Sequence, residues 1–179
     1  MALVVGRKFE QAEGQGKAVE FAFRVVSAGP DYVRVQMLAE TATSDDKDQV
    51  TIEAAPLDDK RSILRVSYAY VFGAMERLGM QVYLSTLARD KVGFSKTPGS
   101  DGQATYVGGV RGMVERNVMR YYLAVVAYVD SLAVPPAERL EKRLRAWFDA
   151  TEQHARQLHE MERDDYLVMK RNEVARQQP

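Results

Sequence analysis

The chain has 179 residues, 46% of them hydrophobic, which suits one globular domain, or one domain with an appendage, and is too apolar for a disordered chain. Lys+Arg and Asp+Glu both number 25, so the net charge is +0, which argues against a generic polyanion binder and against nucleic acid as a partner. There is no cysteine, so disulfides, thiolate catalysis and cysteine-ligated zinc are excluded.

The opening residues, MALVVGRKFEQAEGQG, lack the charged n-region and long apolar h-region of a signal peptide. The longest apolar run, Leu123 to Val129, is far short of the roughly 18–20 residues of a membrane span. A soluble protein without an integral membrane segment is expected. It would be cytoplasmic, or periplasmic if a signal peptide lies upstream. The abrupt apolar start suggests a missing N-terminal portion.

Residues 18–26 alternate, with Val19, Phe21, Phe23 and Val25 against Glu20, Ala22 and Arg24, which is the pattern of a half-buried strand. The segment from Ser27 to Asp31 is a turn by composition. Residues 32–40 alternate again, with Val33, Val35 and Met37 on one face and Arg34, Gln36 and Leu38 on the other, which predicts an antiparallel hairpin. The stretch from Thr41 to Asp48 is a polar loop. Gln49–Ala54 is a short strand, and Pro56 to Lys60 a turn. Residues 61–72 form the longest strand candidate, with Leu64, Val66, Tyr68, Tyr70 and Phe72 on one face. That aromatic face either lines a cavity or is plain core.

After Gly73 the two-residue period is lost, and Met75, Leu78 and Val82 fall near helical spacing, so residues 74–89 are read as a helix. The segment from Thr97 to Gly102 is the clearest turn in the chain, and residues 91–107 make a hairpin around it. Gly108 and Gly109 follow, and a long helix starts near Val110. Its predicted apolar stripe is Val114, Val118, Tyr121, Val125, Val129 and Leu132. Pro135 and Pro136 stop it, and a new helix begins at Pro136 with Leu140, Leu144, Trp147 and Phe148 on its apolar face. Residues 160–176 are a last helix with a thin strip of Tyr166, Leu167 and Met169. Between Glu138 and Arg176 there are 9 Lys/Arg and 9 Asp/Glu, so the tail is no polybasic arm.

Residues with chemistry are few. His154 and His159 are spaced by five, so they do not share a helical face, and no metal is expected. The glycine-rich VGGVRG before a helix suits either a weak anion loop or a simple bend. Arg111 and Glu115 make an i,i+4 ion pair. Arg116 and Arg120 make a like-charge one, which costs stability unless each arginine has a partner elsewhere, such as Glu115, Glu76, Asp90 or a bound anion.

Three strings, RSILRVSYAYVFG (Arg61–Gly73), MQVYLSTLARDKVGF (Met80–Phe94) and YVGGVRGMVERNVMRYYLAVVAYVDSL (Tyr106–Leu132), carry a resemblance. With them, the stretch from about Val19 to Leu132 resembles START-like domains of the SRPBCC superfamily, in particular an uncharacterised bacterial branch. The resemblance implies an α+β, helix-grip fold in which a curved antiparallel sheet is closed by a long helix over a hydrophobic cavity. It implies a START-like domain over residues 1–134 and a helical extension over residues 135–179. The superfamily's first strand and two short helices would be largely missing here, which bears on one sheet edge and one cavity wall. No catalytic motif is carried over.

The expected function is non-enzymatic binding or transport of a hydrophobic small molecule: a lipid, an isoprenoid or an aromatic compound. Tyr68, Tyr70, Val114, Val118, Tyr121 and Val125 would supply apolar walls, and Arg116, Asn117 and Tyr122 would orient the ligand. No cofactor or metal is expected. One alternative is an interaction module, self-associating through the C-terminal helices. The other is a cyclase or lyase using the same cavity with Glu115 or Tyr121 as the acid–base group.

Overall fold

The computed structural model describes residues 2–5, 17–39, 49–69, 90–99 and 102–177. The expected loop from Thr41 to Asp48, the expected helix over 74–89, and Tyr70 and Phe72 lie outside these residues. The protein is α+β with an antiparallel sheet, and it divides into two compact units. The first unit holds the strands up to Ala69. The second holds a small hairpin and the C-terminal helices, including the long one.

The sheet of the first unit has the order β1-β2-β3-β4-β5, formed by β1 (Ala2–Val5), β2 (Lys17–Ala28), β3 (Val33–Ala39), β4 (Gln49–Pro56) and β5 (Ser62–Ala69). Each strand pairs antiparallel with the next, and β2 with β3 is the hairpin that the alternating patterns predict. At the first edge of the sheet β1 pairs along β2, with Ala2 opposite Glu20 and Val5 opposite Lys17, and is itself the edge strand. The run is too short to show a two-residue period, so only pairing with β2 reveals it as a strand.

The turns are closed by local hydrogen bonds. Gly29 N–H donates to the Tyr32 carbonyl at 2.9 Å in the β2–β3 turn. In the β4–β5 turn, Asp58 Oδ1 accepts from the backbone N–H of Lys60 (3.0 Å) and Arg61 (2.9 Å). This is the usual service of an aspartate to a turn. A bulge between Val25 and Ser27 shifts the β2–β3 register by one residue, so Arg34 faces Ser27 and Arg24 faces Gln36.

In the second unit, β6 (Lys96–Pro98) and β7 (Ala104–Tyr106) form the predicted hairpin, with Gly102 at φ 77° in its turn. The ladder continues irregularly outside them: Gly93 N–H donates to the Val107 carbonyl at 2.7 Å, and Val107 N–H to the Ser95 carbonyl at 2.9 Å. The helices are α1 (Gly109–Ser131), α2 (Pro136–Glu152), α3 (Ala155–Leu158) and α4 (Arg163–Gln177). Pro136 is the first residue of α2, where its missing N–H and fixed φ do no harm.

The core of this unit is the cluster Phe148, Tyr166, Leu167 and Met169, with Leu144, Trp147 and Met161 packed against it. The Tyr166 ring stacks on Trp147 at 5.3 Å and lies 5.3 Å from Phe148. The Trp147 indole N–H donates to the Arg120 carbonyl at 3.2 Å, which ties α2 to α1. The thin apolar strip predicted for the last helix is therefore packed within the chain.

Candidate ligand-binding face

The strand registers give the sheet two unlike faces. Across β2, β3, β4 and β5, one row is Phe23, Met37, Val50 and Tyr68. The next is Val25, Val35, Ile52 and Val66, and beyond it Val33, Ala54 and Leu64 stand side by side. No charged residue belongs to these rows. Directly opposed residues in an antiparallel pair point to the same side, so this is one continuous apolar face. On β4, Val50 near the strand's start is buried, and Ile52 and Ala54 are half-buried. Its β2 side is open: Phe23 is 57% exposed and Val25 53%. The opposite face carries Arg24, Gln36, Thr51 and Ser67 in one row, and Arg34, Glu53 and Arg65 in another.

Of the residues predicted to bind a ligand, Tyr68 lies half-buried in the apolar face of the first unit, while Tyr70 is outside the described residues. The others are on α1 in the second unit. Val114, Asn117, Val118 and Val125 are half-buried there, and Tyr121 and Tyr122 are exposed. Arg116 is buried, with 4% exposure.

The burial of α1 does not follow the predicted apolar stripe. Its buried residues are Gly112, Arg116, Leu123, Ala127 and Ser131, whereas Tyr121, Val129 and Leu132 from the stripe are exposed. The physical reason is close approach. A β-carbon on Gly112 would lie 2.8 Å from the Val107 carbonyl oxygen, and one on Gly93 would lie 2.8 Å from the Gly112 Cα. Backbones this close admit only glycine. At the other end, Ser131 Oγ donates to the Tyr128 carbonyl (2.6 Å) and accepts from Arg143 Nε (2.7 Å). Small and polar residues thus define the packed face, and hydropathy spacing does not register them.

The charged start of α1 is an ion-paired and hydrogen-bonded collar. Glu115 Oε2 accepts from the backbone N–H of Phe94 (2.7 Å) and Ser95 (2.8 Å), and Oε1 accepts from Arg111 Nε (3.1 Å). Burial pushes the Glu115 carboxyl up, but the bonds from Ser95, Phe94 and Arg111 together outweigh it and hold the group below the usual glutamate range. Arg116 donates to the Val92 carbonyl at 3.1 Å. Arg120 pairs with Glu160 at 2.6 Å, and Lys91 also reaches Glu160 (3.4 Å) while donating to the His159 carbonyl (2.9 Å). The two like-charged arginines therefore each have a partner, and for Arg120 it comes from the C-terminal segment. The i,i+4 spacing flagged the need for partners. It could not supply Glu160, forty positions away.

Both oxygens of Glu115 are committed to these contacts, so as placed it is no free acid–base group. The glycine pair serves as a bend: Gly109 adopts φ 58° as β7 gives way to α1. The two histidines go separate ways. The His154 and Phe94 rings meet at a T-shaped angle with centroids 5.4 Å apart, and His159 Nδ1 meets the Glu152 carboxylate at 3.0 Å. No cluster of residues suited to a metal ion occurs among the described residues. Nor, among them, is any helix long and apolar enough to cross a membrane.

Comparison of the chain with protein-family models, with curated proteins and with solved structures finds no match.

Proposed function

We propose that this chain binds or carries a hydrophobic small molecule, without transforming it, on the apolar face of β2–β5. The observation behind this reading is that face itself: two full rows across four strands with no charged member, exposed at Phe23 and Val25. Isolated exposed apolar side chains need no explanation, but a contiguous patch marks a site of contact. A ligand that buries about 300 Å² of apolar surface there gains roughly 7.5 kcal/mol before the entropic costs of association.

Organic extracts of the purified protein, analysed by mass spectrometry, should contain one recurring lipid, isoprenoid or aromatic species. Binding of the polyene probe cis-parinaric acid should saturate and should weaken at least ten-fold in Val35→Asp and Ile52→Asp variants that retain wild-type circular dichroism. Repeated absence of a bound species, together with no saturable probe binding, would sink the reading. If the chain is a helix-grip protein of the START-like kind, Val118→Asp and Val125→Asp on α1 lower probe affinity in the same way. Unchanged affinity in those two variants would confine the ligand to the sheet.

A further inference from the structure

The polar face of the same sheet holds a second, independent feature. Arg34 on β3 stands directly opposite Glu53 on β4, and Glu53 directly opposite Arg65 on β5. Arg24 on β2 stands one row away, opposite Gln36. Strands lie about 4.8 Å apart, so Arg34 and Arg65, two strands apart, start about 10 Å from each other, while Arg24 lies on the diagonal from Arg34, about 7–8 Å away; side chains as long as arginine's can bring the three guanidinium groups over this corner.

Of the three, only Arg65 has a carboxylate partner among the described residues. Glu53 accepts a hydrogen bond from the Tyr32 hydroxyl at 2.5 Å and lies 3.8 Å from Arg65 Nη1, but it makes no ion pair with Arg34. Arg34 Nε is buried and has no hydrogen-bond partner. Arg24 makes no ion pair among the described residues. A buried guanidinium N–H without an acceptor is rare in native proteins and points to an ion or water that completes it.

We propose that Arg24, Arg34 and Arg65 form a site for a small oxyanion, a phosphate or carboxylate group, with Arg34 as its central donor. Arginine at all three positions suits this role, because the planar guanidinium presents paired N–H groups that match an oxyanion's geometry. The one carboxylate in the corner among the described residues does not forbid binding: Glu53 is engaged by Tyr32 and Arg65, and three guanidinium groups outnumber it.

The test uses the arginine Nε–Hε resonances of the full chain, followed by nitrogen-15 NMR while inorganic phosphate replaces chloride at constant ionic strength. The Arg34 resonance should shift and saturate. Read from the Arg65 resonance, which each variant keeps, Arg34→Lys should weaken the apparent affinity at least ten-fold, and Arg24→Gln, at an exposed position, about three-fold with unchanged circular dichroism. Succinate that saturates the same resonance extends the site to carboxylate ligands, while response to phosphate alone assigns it to phosphate ones. Linear shifts of all arginines alike with either anion, or wild-type affinity in Arg34→Lys, overturn the site.

Discussion

Single residues at the start of α1 hold the most specific packing in the second unit. Gly112 is helical, so Gly112→Ala gains about 1 kcal/mol of helix propensity. Its β-carbon would meet backbone atoms, the Val107 oxygen at 2.8 Å and the Gly93 nitrogen at 3.0 Å, which cannot rotate away. Overpacking of this kind costs about 1–3 kcal/mol, so the variant should melt below wild type, and Gly93→Ala, with three contacts of 2.9 Å or less, lower still. A melting temperature at or above wild type for Gly112→Ala would refute the close approach. Glu115 adds a pH-dependent contribution. Its carboxyl is held low when folded, so the ionised group stabilises the fold above the ordinary glutamate value, and this is lost as the pH falls through the folded value. In Glu115→Gln, stability near neutral pH should drop by about 1–3 kcal/mol, as the backbone N–H groups of Phe94 and Ser95 lose their charged acceptor. Its profile should also be flatter than wild type in denaturant melts taken between about pH 6 and pH 3.

At the scale of elements, the strands were the most legible part of the sequence. A period of two assigns each strand residue to a face, and Val33, Val35 and Met37 share one side with Phe23 and Val25 as their spacing implies. The stop at Pro135 and the restart at Pro136 were equally clear, because proline acts through its own covalent geometry. The orientation of α1 was not legible. Its apolar residues outnumber what one face can bury, and the packed face was settled by glycine, alanine and serine at close contacts. The last helix shows the opposite case: the three residues of its expected strip, Tyr166, Leu167 and Met169, are all buried, while Val168 between them is exposed. Leu167→Ala should cost about 2–5 kcal/mol. The chain has a single tryptophan, and Trp147 stacks on Tyr166 in this cluster, so its fluorescence should report the loss as an earlier unfolding midpoint in urea. An unchanged midpoint would show that α4 adds little to the stability of the unit.

For the whole molecule, equal numbers of acidic and basic residues leave little net repulsion near neutral pH, and Phe23 and Val25 stand exposed on an apolar face. Solubility should therefore pass through a minimum close to neutrality, and Phe23→Lys should raise the polyethylene glycol concentration needed for precipitation there. A midpoint insensitive to this substitution would mean that the face is not what limits solubility. The sequence by itself determined the α+β composition, the faces of the strands, the hairpin around Gly102 and the breaks between helices. These depend on short-range periodicity and on the backbone preferences of glycine and proline. Only the tertiary structure decided that β1 pairs along β2 as the sheet's edge strand, that α1 packs through Gly112 and Ser131, that Glu115 caps Phe94 and Ser95, and that Arg120 finds Glu160. It also left Arg34 beside a carboxylate already taken. Each of these joins groups far apart in sequence at hydrogen-bonding or van der Waals distance, and no local pattern encodes such a meeting.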